Sequence, residues 1–453
     1  MSEIDNETGD RSALPALRPG DEDYDAASTG FQLRSPHRPD LIVTASGPDD
    51  VRAAVAHARD RGLPVAVQST GHGRAAALDG GVLVSTRGMD GVRIDAAARS
   101  AYIEAGATWG QVIEAAAPHG LAPLSGSAPS VGAVGYALGG GLGALARQYG
   151  YAADHVTALD VVTADGEPRQ VTAASDPDLF WALRGGRGEF GIVTGMEIGL
   201  VPHPEIYGGI LAFGAEVVDE ALGAYLEWTR GLPEELTSSV SVMSYPELPF
   251  VRDEFRGQYV LQIRVAYTGP AEEGERLVAP LRALGPRLVD DLRVLPYTES
   301  HTIFNDPPFA HGYAGDGLLL DAGLDAGTLR ELAKLTGPEA PTMAVTQLNH
   351  LGGALTRPPA VPSAVGGRGA GYLLRVVLPT DGVADETLGK VLADVREAAE
   401  PLTVGRSLNF VFGELTEEEL AAAYEAADFR RLKRLKAELD PVGIFSSGQP
   451  LRA

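Results

Sequence analysis

The sequence predicts an α+β chain of two domains, and three observations carry that prediction. At 453 residues the chain exceeds what one hydrophobic core usually serves, so two cores are expected. Up to about residue 203, short apolar runs interleave with helical periodicities, as strands feeding helices do. Beyond it, longer strand candidates are spaced by helices, which predicts an antiparallel sheet covered by helices on one face.

Composition narrows the function. Apolar residues make up 44% and charged residues 22%, ordinary for a soluble globular chain, but a formal net charge of −24 disfavours nucleic acid or an anionic membrane as partner. The absence of cysteine excludes disulfides, thiolate metal sites and cysteine nucleophiles together. There is no apolar run of membrane-spanning length and no basic start followed by an apolar core, so a cytoplasmic protein, monomer or homodimer, is expected.

In chain order, residues 1–37 are acidic and lack apolar periodicity, which predicts a loosely structured N-terminal arm packed as an appendage. In 38–203, Leu41-Ile42-Val43 reads as a strand, Pro48-Asp49-Asp50 opens a helix, and Pro64 to Val67 is a second strand. Val82 to Val84, Ala101 to Ala105 and a helix from Thr108 to His119 follow. His155 to Thr163, the turn Ala164 to Glu167 and Arg169 to Val171 form a hairpin. Pro177 to Arg184 is a short capped helix, 185–191 a glycine loop, and Ile192 onward a strand. Pro202-His203-Pro204 ends the domain, because two prolines break helix and ladder alike. In 204–400, strands near Gly208, Val240, Tyr259, Leu318, Thr342 and Tyr372 alternate with helices near 217–230, 271–284, 325–335 and 385–398. The prolines and glycines of 357–371 predict a long loop suited to a substrate entrance. Segment 401–453 holds a strand and a basic-faced helix through Arg430 to Lys436, stopped at Asp440-Pro441.

The chemistry gathers on two backbone-exposing stretches, Ser69-Thr70-Gly71-His72-Gly73 and Val131 to Gly143, the latter with six glycines in thirteen residues. Glycine admits φ > 0 and lets a ligand approach the N–H groups, so the pair predicts a cradle for an anion as long as a pyrophosphate. Gly141 to Ala146 fits GxGxxA and Gly186 to Gly191 fits GxGxxG. The first lacks a preceding β-branched strand and the second follows a helix, so neither has the context of a nicotinamide-binding fingerprint. The histidines show no HxH or HExxH spacing, so no metal site is expected, and no GxSxG elbow marks a serine hydrolase. Taken alone, His72 is a solvated or hydrogen-bonded loop side chain.

Ordered segments recruit it. QSTGHG (68–73), Glu104 to Gly110, GLAPLSGSAPSVGAVGYALGGGLG (120–143), Arg147 to Gly150, Asp154-His155-Val156, VVTADGE (161–167) and DLFWALRGGRGEFGIVT (178–194) resemble the FAD-linked oxidases, and within them the berberine-bridge-enzyme-like branch of the vanillyl-alcohol oxidase / p-cresol methylhydroxylase superfamily. Leu408-Asn409-Phe410 and DPVGIF (440–445) resemble the closing motifs of that family.

The resemblance implies a two-subdomain FAD-binding domain of the vanillyl-alcohol-oxidase type over 38–203, roofed by a substrate domain over 204–400, with 401–453 returning to the FAD-binding domain. It implies FAD linked covalently through His72, a tether that retains the cofactor and raises its potential. Ser69, Thr70, Gly71, Gly73, Ser127, Pro129, Gly132, Gly135, Tyr136, Gly140, Gly141, Gly143 and Asn409 would follow the cofactor, with Ile192 and Val193 bordering the adenine. Hydride would pass from a small alcohol, amine, sugar-like or natural-product substrate to flavin N5, with O2 or another electron acceptor restoring the flavin. A dehydrogenase, an oxidative cyclase and an inactive flavin-binding protein are the alternatives.

Three departures stand out. Ala128 occupies the place of a cysteine that forms a second flavin link in doubly tethered relatives. Glu189 replaces the family's usual asparagine, and Leu408 precedes Asn409 where a tyrosine is common. Candidates for the missing proton acceptor are Tyr245, Tyr313, His350, Tyr372 and Arg375, of which His350 and Tyr372 are taken as catalytic.

Overall fold

The computed structural model describes residues 16–249, 251–445 and 451. Among them, 17 strands group into three sheets. In the first, β1 (Leu41–Thr44), β2 (Val65–Gln68) and β3 (Val82–Ser85) run parallel in the order β1-β3-β2. The helix Pro48–Arg61 makes the crossover; it starts with proline in its first turn, buries Val51, Ala54, Val55 and Ala58 on one stripe, and ends at Gly62 with φ 63°.

The second sheet is antiparallel, from β4 (Val92–Asp95), β5 (Ser100–Glu104), β6 (Val156–Val162), β7 (Pro168–Val171) and β8 (Ile192–Gly199), ordered β4-β5-β8-β6-β7. Between β5 and β6 lie the helix Trp109–Ala116, opened by a Thr108–Gln111 capping box, and the glycine-rich run, whose middle forms the short helix Ala133–Leu138. After it the chain turns at Gly141 with φ 76°. A Cβ there would approach the Tyr136 ring to 2.4 Å, so both conformation and space require glycine.

The third sheet comprises β9 (Glu205–Phe213), β10 (Leu236–Ser244), β11 (Tyr259–Tyr267), β12 (Arg287–Asp290), β13 (Arg293–Pro296), β14 (Tyr313–Leu320), β15 (Val345–His350), β16 (Tyr372–Pro379) and β17 (Thr403–Arg406). Its order is β12-β9-β11-β10-β15-β16-β14-β17, all antiparallel, with β13 also on β9. Helices Val218–Thr229, Ala271–Arg282, Ala326–Leu335 and Asp385–Ala399 cover one face, burying Leu222, Leu332, Leu388 and Val391 against Val240, Leu320, Leu348 and Leu374. Each such side chain contributes about 1.5–3 kcal/mol on leaving water, which fixes the apolar face of every strand toward the helices. The opposite face roofs the first two sheets. Arg147 locks the two bodies together, donating from Nε to the Leu351 carbonyl at 2.9 Å and from Nη1 to Leu236 at 2.6 Å.

Two expectations are corrected. Residues 16–37 are no appendage: Leu17 pairs with Ile42, the Tyr24 hydroxyl donates to the Pro39 carbonyl at 2.7 Å, and Gln32, 2% exposed, bonds the Tyr313 carbonyl at 2.6 Å. These anchors stand singly along the chain, which is why no periodicity announces them; the rest of the arm, 1–15, lies outside the described residues. Nor does 357–371 form an entrance. Ala364 donates its N–H to the Arg184 carbonyl, and Arg368 clamps Asp154 with contacts of 2.6 and 3.0 Å.

The roof sheet continues past residue 400 through β17, and the chain then crosses back to the first two sheets, where Phe445 bridges Val65. Residues 446–450 and 452–453 lie outside the described set. That return is held by buried Lys436, whose Nζ meets Asp440 at 2.9 Å, Glu189 at 3.4 Å and the carbonyls of Glu189 and Phe445. Glu189 is thus a buried ion-pair partner. Replacing Lys436 with methionine would remove a buried cation shared by Asp440 and Glu189, and a loss of about 3–5 kcal/mol in urea unfolding is expected.

Candidate functional site

Between roof and floor runs one continuous cavity of about 1410 Å³. Its floor starts where β2 ends. Thr70 joins the two glycine-bearing stretches, because its Oγ1 contacts His72 Nδ1 at 2.8 Å and accepts the Gly132 N–H at 3.2 Å. His72 Nε2 lies 3.1 Å from Ser130 Oγ, the Phe31 ring stacks on the imidazole at 3.8 Å, and the Tyr313 hydroxyl donates to the His72 carbonyl at 2.6 Å. The ring is therefore held on both nitrogens, one face and its own backbone. Burial pushes its pKa down to about 4; Asp306 opposes that shift and His311 adds to it.

The helix Ala133–Leu138 forms a wall. Tyr136 projects into the cavity with a buried hydroxyl that has no protein partner, and burial holds that phenol well above its ordinary pKa. Asn409, from the returning C-terminal segment, donates to the Tyr136 carbonyl at 3.0 Å. A Cβ on Gly139 would fall 1.8 Å from the Asn409 carboxamide oxygen, so that approach depends on glycine. Arg187, a non-glycine residue at φ 62°, donates to the carbonyls of Gly73 at 3.0 Å and Leu408 at 3.4 Å, fastening the third glycine loop to the His72 loop.

The roof contributes alternate residues of neighbouring strands: Ser239 and Ser241 of β10, Gln262 and Arg264 of β11, Gln347 and Asn349 of β15, Arg375 of β16 and Tyr313 of β14. Arg264 donates to Ser241 Oγ at 2.6 Å and to Gln262 Oε1 at 2.7 Å, and Gln262 passes a hydrogen bond to the Tyr245 hydroxyl. Arg375 lies over the Phe410 ring at 4.1 Å. Asp306 reaches from the loop before β14 to accept a hydrogen bond from Ser127 Oγ, bridging roof and floor.

Of the residues expected at the cofactor, Ser69, Thr70, Gly71, His72, Gly73, Ser127, Gly132, Gly135, Tyr136, Gly143 and Asn409 line this cavity. Pro129, Gly140, Gly141, Ile192 and Val193 do not. Pro129 accepts the Gly110 N–H outside it, Gly140 and Gly141 form the turn behind Tyr136, and Ile192 and Val193 are buried in β8 opposite Val162 and Val161.

The catalytic expectation for His350 and Tyr372 is corrected by strand parity. Both point to the helix-covered face, where their rings lie 5.8 Å apart and the Tyr372 hydroxyl contacts Thr229 Oγ1 at 2.9 Å. His350 is pushed down to about 3 by burial and then by Arg147, with Nδ1 unpartnered. Neither reaches the cavity, whereas Tyr245, Tyr313 and Arg375 do. Arg264, Asp306 and Gln347 were missed. For Arg264 and Gln347 a strand signal was available, polar residues at every second position of apolar runs, as in Gln262/Arg264 and Gln347/Asn349; Asp306, in a loop, carried none.

No helix among the described residues is long and apolar enough to cross a membrane, and no group of three or more His, Asp or Glu residues among them is placed to hold a metal ion.

Comparison with known proteins finds an FAD-binding match over part of the chain and flavin-linked relatives. Residues 39–172 match the FAD binding domain family. The chain is 34% identical over 289 residues to (R)-6-hydroxynicotine oxidase of Paenarthrobacter nicotinovorans, covering 62% of this chain and 61% of the relative. It is 31% identical over 294 residues to an uncharacterised FAD-linked oxidoreductase of Bacillus subtilis, covering 63% of each. The matched stretches thus span about three fifths of these curated relatives. The crystal structure of 6-hydroxy-D-nicotine oxidase from Arthrobacter nicotinovorans superposes with a TM-score of 0.84 at 25% identity, covering 98% of this chain and 99% of that one.

Tyr372→Phe removes one buried hydrogen bond on the far side of the roof. It should cost about 1 kcal/mol in unfolding free energy and leave the flavin absorbance of the purified protein unchanged; a changed flavin spectrum would contradict the assignment of Tyr372 to the core.

Proposed function

We propose that this chain is an FAD-linked oxidase of the berberine-bridge-enzyme-like branch that takes hydride from a small alcohol, amine, sugar-like or natural-product substrate. The observation that carries the reading is the unbroken cavity from the His72 loop to the polar face of the roof. Its residues fit FAD. The volume exceeds the roughly 300–1,000 Å³ of a pocket for one drug-sized ligand, two backbone-exposing loops line it, and the Tyr136 hydroxyl is buried there awaiting a partner. When bound, FAD supplies the hydride acceptor, and O2 is the oxidant that restores it.

His72 is the residue that would carry a covalent link. A nucleophilic imidazole must be neutral, and burial keeps this one unprotonated down to about pH 4, where an ordinary histidine gains its proton near 6.5. Thr70, Ser130, Phe31 and Tyr313 hold the ring in one place, so little ordering remains to be done. With no cysteine in the chain, a thioether as second link is impossible. Asp306 is the group placed to accept the substrate hydroxyl or amine proton: its carboxylate bridges floor and roof through Ser127 and lies near His72 and the roof arginines.

Anaerobic mixing with a panel of alcohols, amines and sugars is expected to bleach the flavin with at least one member, and air to restore the colour with peroxide. Bleaching without peroxide would point to a different acceptor, and a panel that never bleaches the flavin would contradict an oxidase. Asp306→Asn should slow bleaching by about 10²-fold or more with FAD content unchanged. Covalent incorporation of FAD into apoprotein should hold steady from about pH 8 to about pH 5.5; a decline centred at 6.5 would mean that His72 titrates as a solvated ring.

A further inference from the structure

The floor arginines are committed to the protein: Arg74 bonds Gln68 and the Gln32 carbonyl, and Arg187 bonds two backbone carbonyls. The roof arginines stand elsewhere, on the polar face of the sheet: Arg264, 8% exposed, has only neutral oxygens as partners, and Arg375, like Arg74 on the floor, has a buried Nε with no hydrogen-bond partner. Neither forms an ion pair among the described residues, and Asp306 is the carboxylate close enough to both to raise their pKa against the lowering effect of burial. In a chain of net charge −24, the two guanidiniums of the roof strands thus share one nearby carboxylate, Asp306, itself bonded to Ser127, while Arg74, Arg187 and Arg252 line other parts of the cavity.

Their setting is an ordered polar patch. Arg264 stands opposite Ser239, and Ser239 opposite Asn349; Gln262 stands opposite Ser241, Ser241 opposite Gln347, and Gln347 opposite Arg375. Two adjacent cross-strand rows are therefore polar over three and four strands, Arg264-Ser239-Asn349 before Leu373 and Gln262-Ser241-Gln347-Arg375, with an arginine at the end of each, on opposite strands. Ser239 Oγ is also buried without a partner. Burying like charges this way is unfavourable until an anion arrives, and a guanidinium fork matches a planar carboxylate better than any neutral group.

We propose that the substrate carries a carboxylate, received on the roof by Arg264 and Arg375 with Ser239 and Gln347 beside them. This rests on the oxidase reading above and narrows it to hydroxy or amino acids, or sugar acids, whose oxidisable carbon lies toward the floor. Arg375, stacked on Phe410 and nearer Tyr136, reads the inner end of the carboxylate group; Arg264, bonded toward Tyr245, reads the outer end.

The test is binding, followed by the flavin absorbance of the holoenzyme titrated at low ionic strength with benzoate, phenylacetate and a hydroxy acid, and with the amide of each. At least one acid should perturb the spectrum and bind about tenfold or more tightly than its amide. Arg264→Gln and Arg375→Gln should each erase that preference with FAD content intact, while Arg264→Lys and Arg375→Lys retain part of it. Equal binding of acid and amide, no perturbation by any acid, or loss of FAD from both glutamine variants would overturn the proposal, the last because the arginines would then serve the cofactor. The two readings fail separately: hydroxy and amino acids that bind, together with a neutral panel, but never bleach the flavin refute the oxidase alone, and neutral substrates that bleach it without competition from acids refute the carboxylate site alone.

Discussion

The roof sheet has two faces, and each strand residue belongs to one of them. That constraint shapes the rest of the molecule. Four helices claim one face through Leu, Val and Ile side chains, so whatever alternates with those residues must meet the floor. In β10, β11, β15 and β16 the alternates include Ser239, Ser241, Gln262, Arg264, Gln347, Asn349 and Arg375, and the space between them and the floor stays open because polar side chains of this kind cannot close a dry core. A one-residue slip in β11 or β16 would place Arg264 or Arg375 among leucines, so the helices that bury one face also define the chemistry of the other.

The floor is organised by restraint of a different kind. His72 sits where three distant parts of the chain converge: Phe31 from the N-terminal arm, Ser130 from the glycine-rich run, and Tyr313 from the first cavity-facing position of β14. Gly71 allows the convergence, since a Cβ there would lie 2.6 Å from the Gly30 Cα. Arg187 and Asn409 add the third glycine loop and the returning C-terminus, so the loop that presents His72 is supported from all sides by backbone contacts. Such support suits a residue that must offer a neutral ring nitrogen in one orientation.

The fold class and the loops along the floor were legible in the sequence because their signals are local: glycine where the backbone turns or is approached, and motifs in unbroken order from QSTGHG to GEFGIVT. Parity was not. His350 and Arg375 both sit in strands that read correctly, yet periodicity leaves open which of two faces the helices will take, and His350 fell on the covered one. Phe31 and Gln32 escaped notice because isolated anchors carry no period. The departure at Glu189 had no visible reason either, since its partner Lys436 lies 247 positions along the chain; together they form a buried ion pair that no local pattern could supply.

The central claim is that His72 holds FAD on this floor, and the intact mass of the denatured chain tests it most directly. The account predicts that the native chain carries the added mass of one FAD and that His72→Ala carries none. A native chain of unmodified mass that retains FAD only before denaturation would remove the link and leave the cavity. A chain that binds no flavin even when supplied with it would contradict the account.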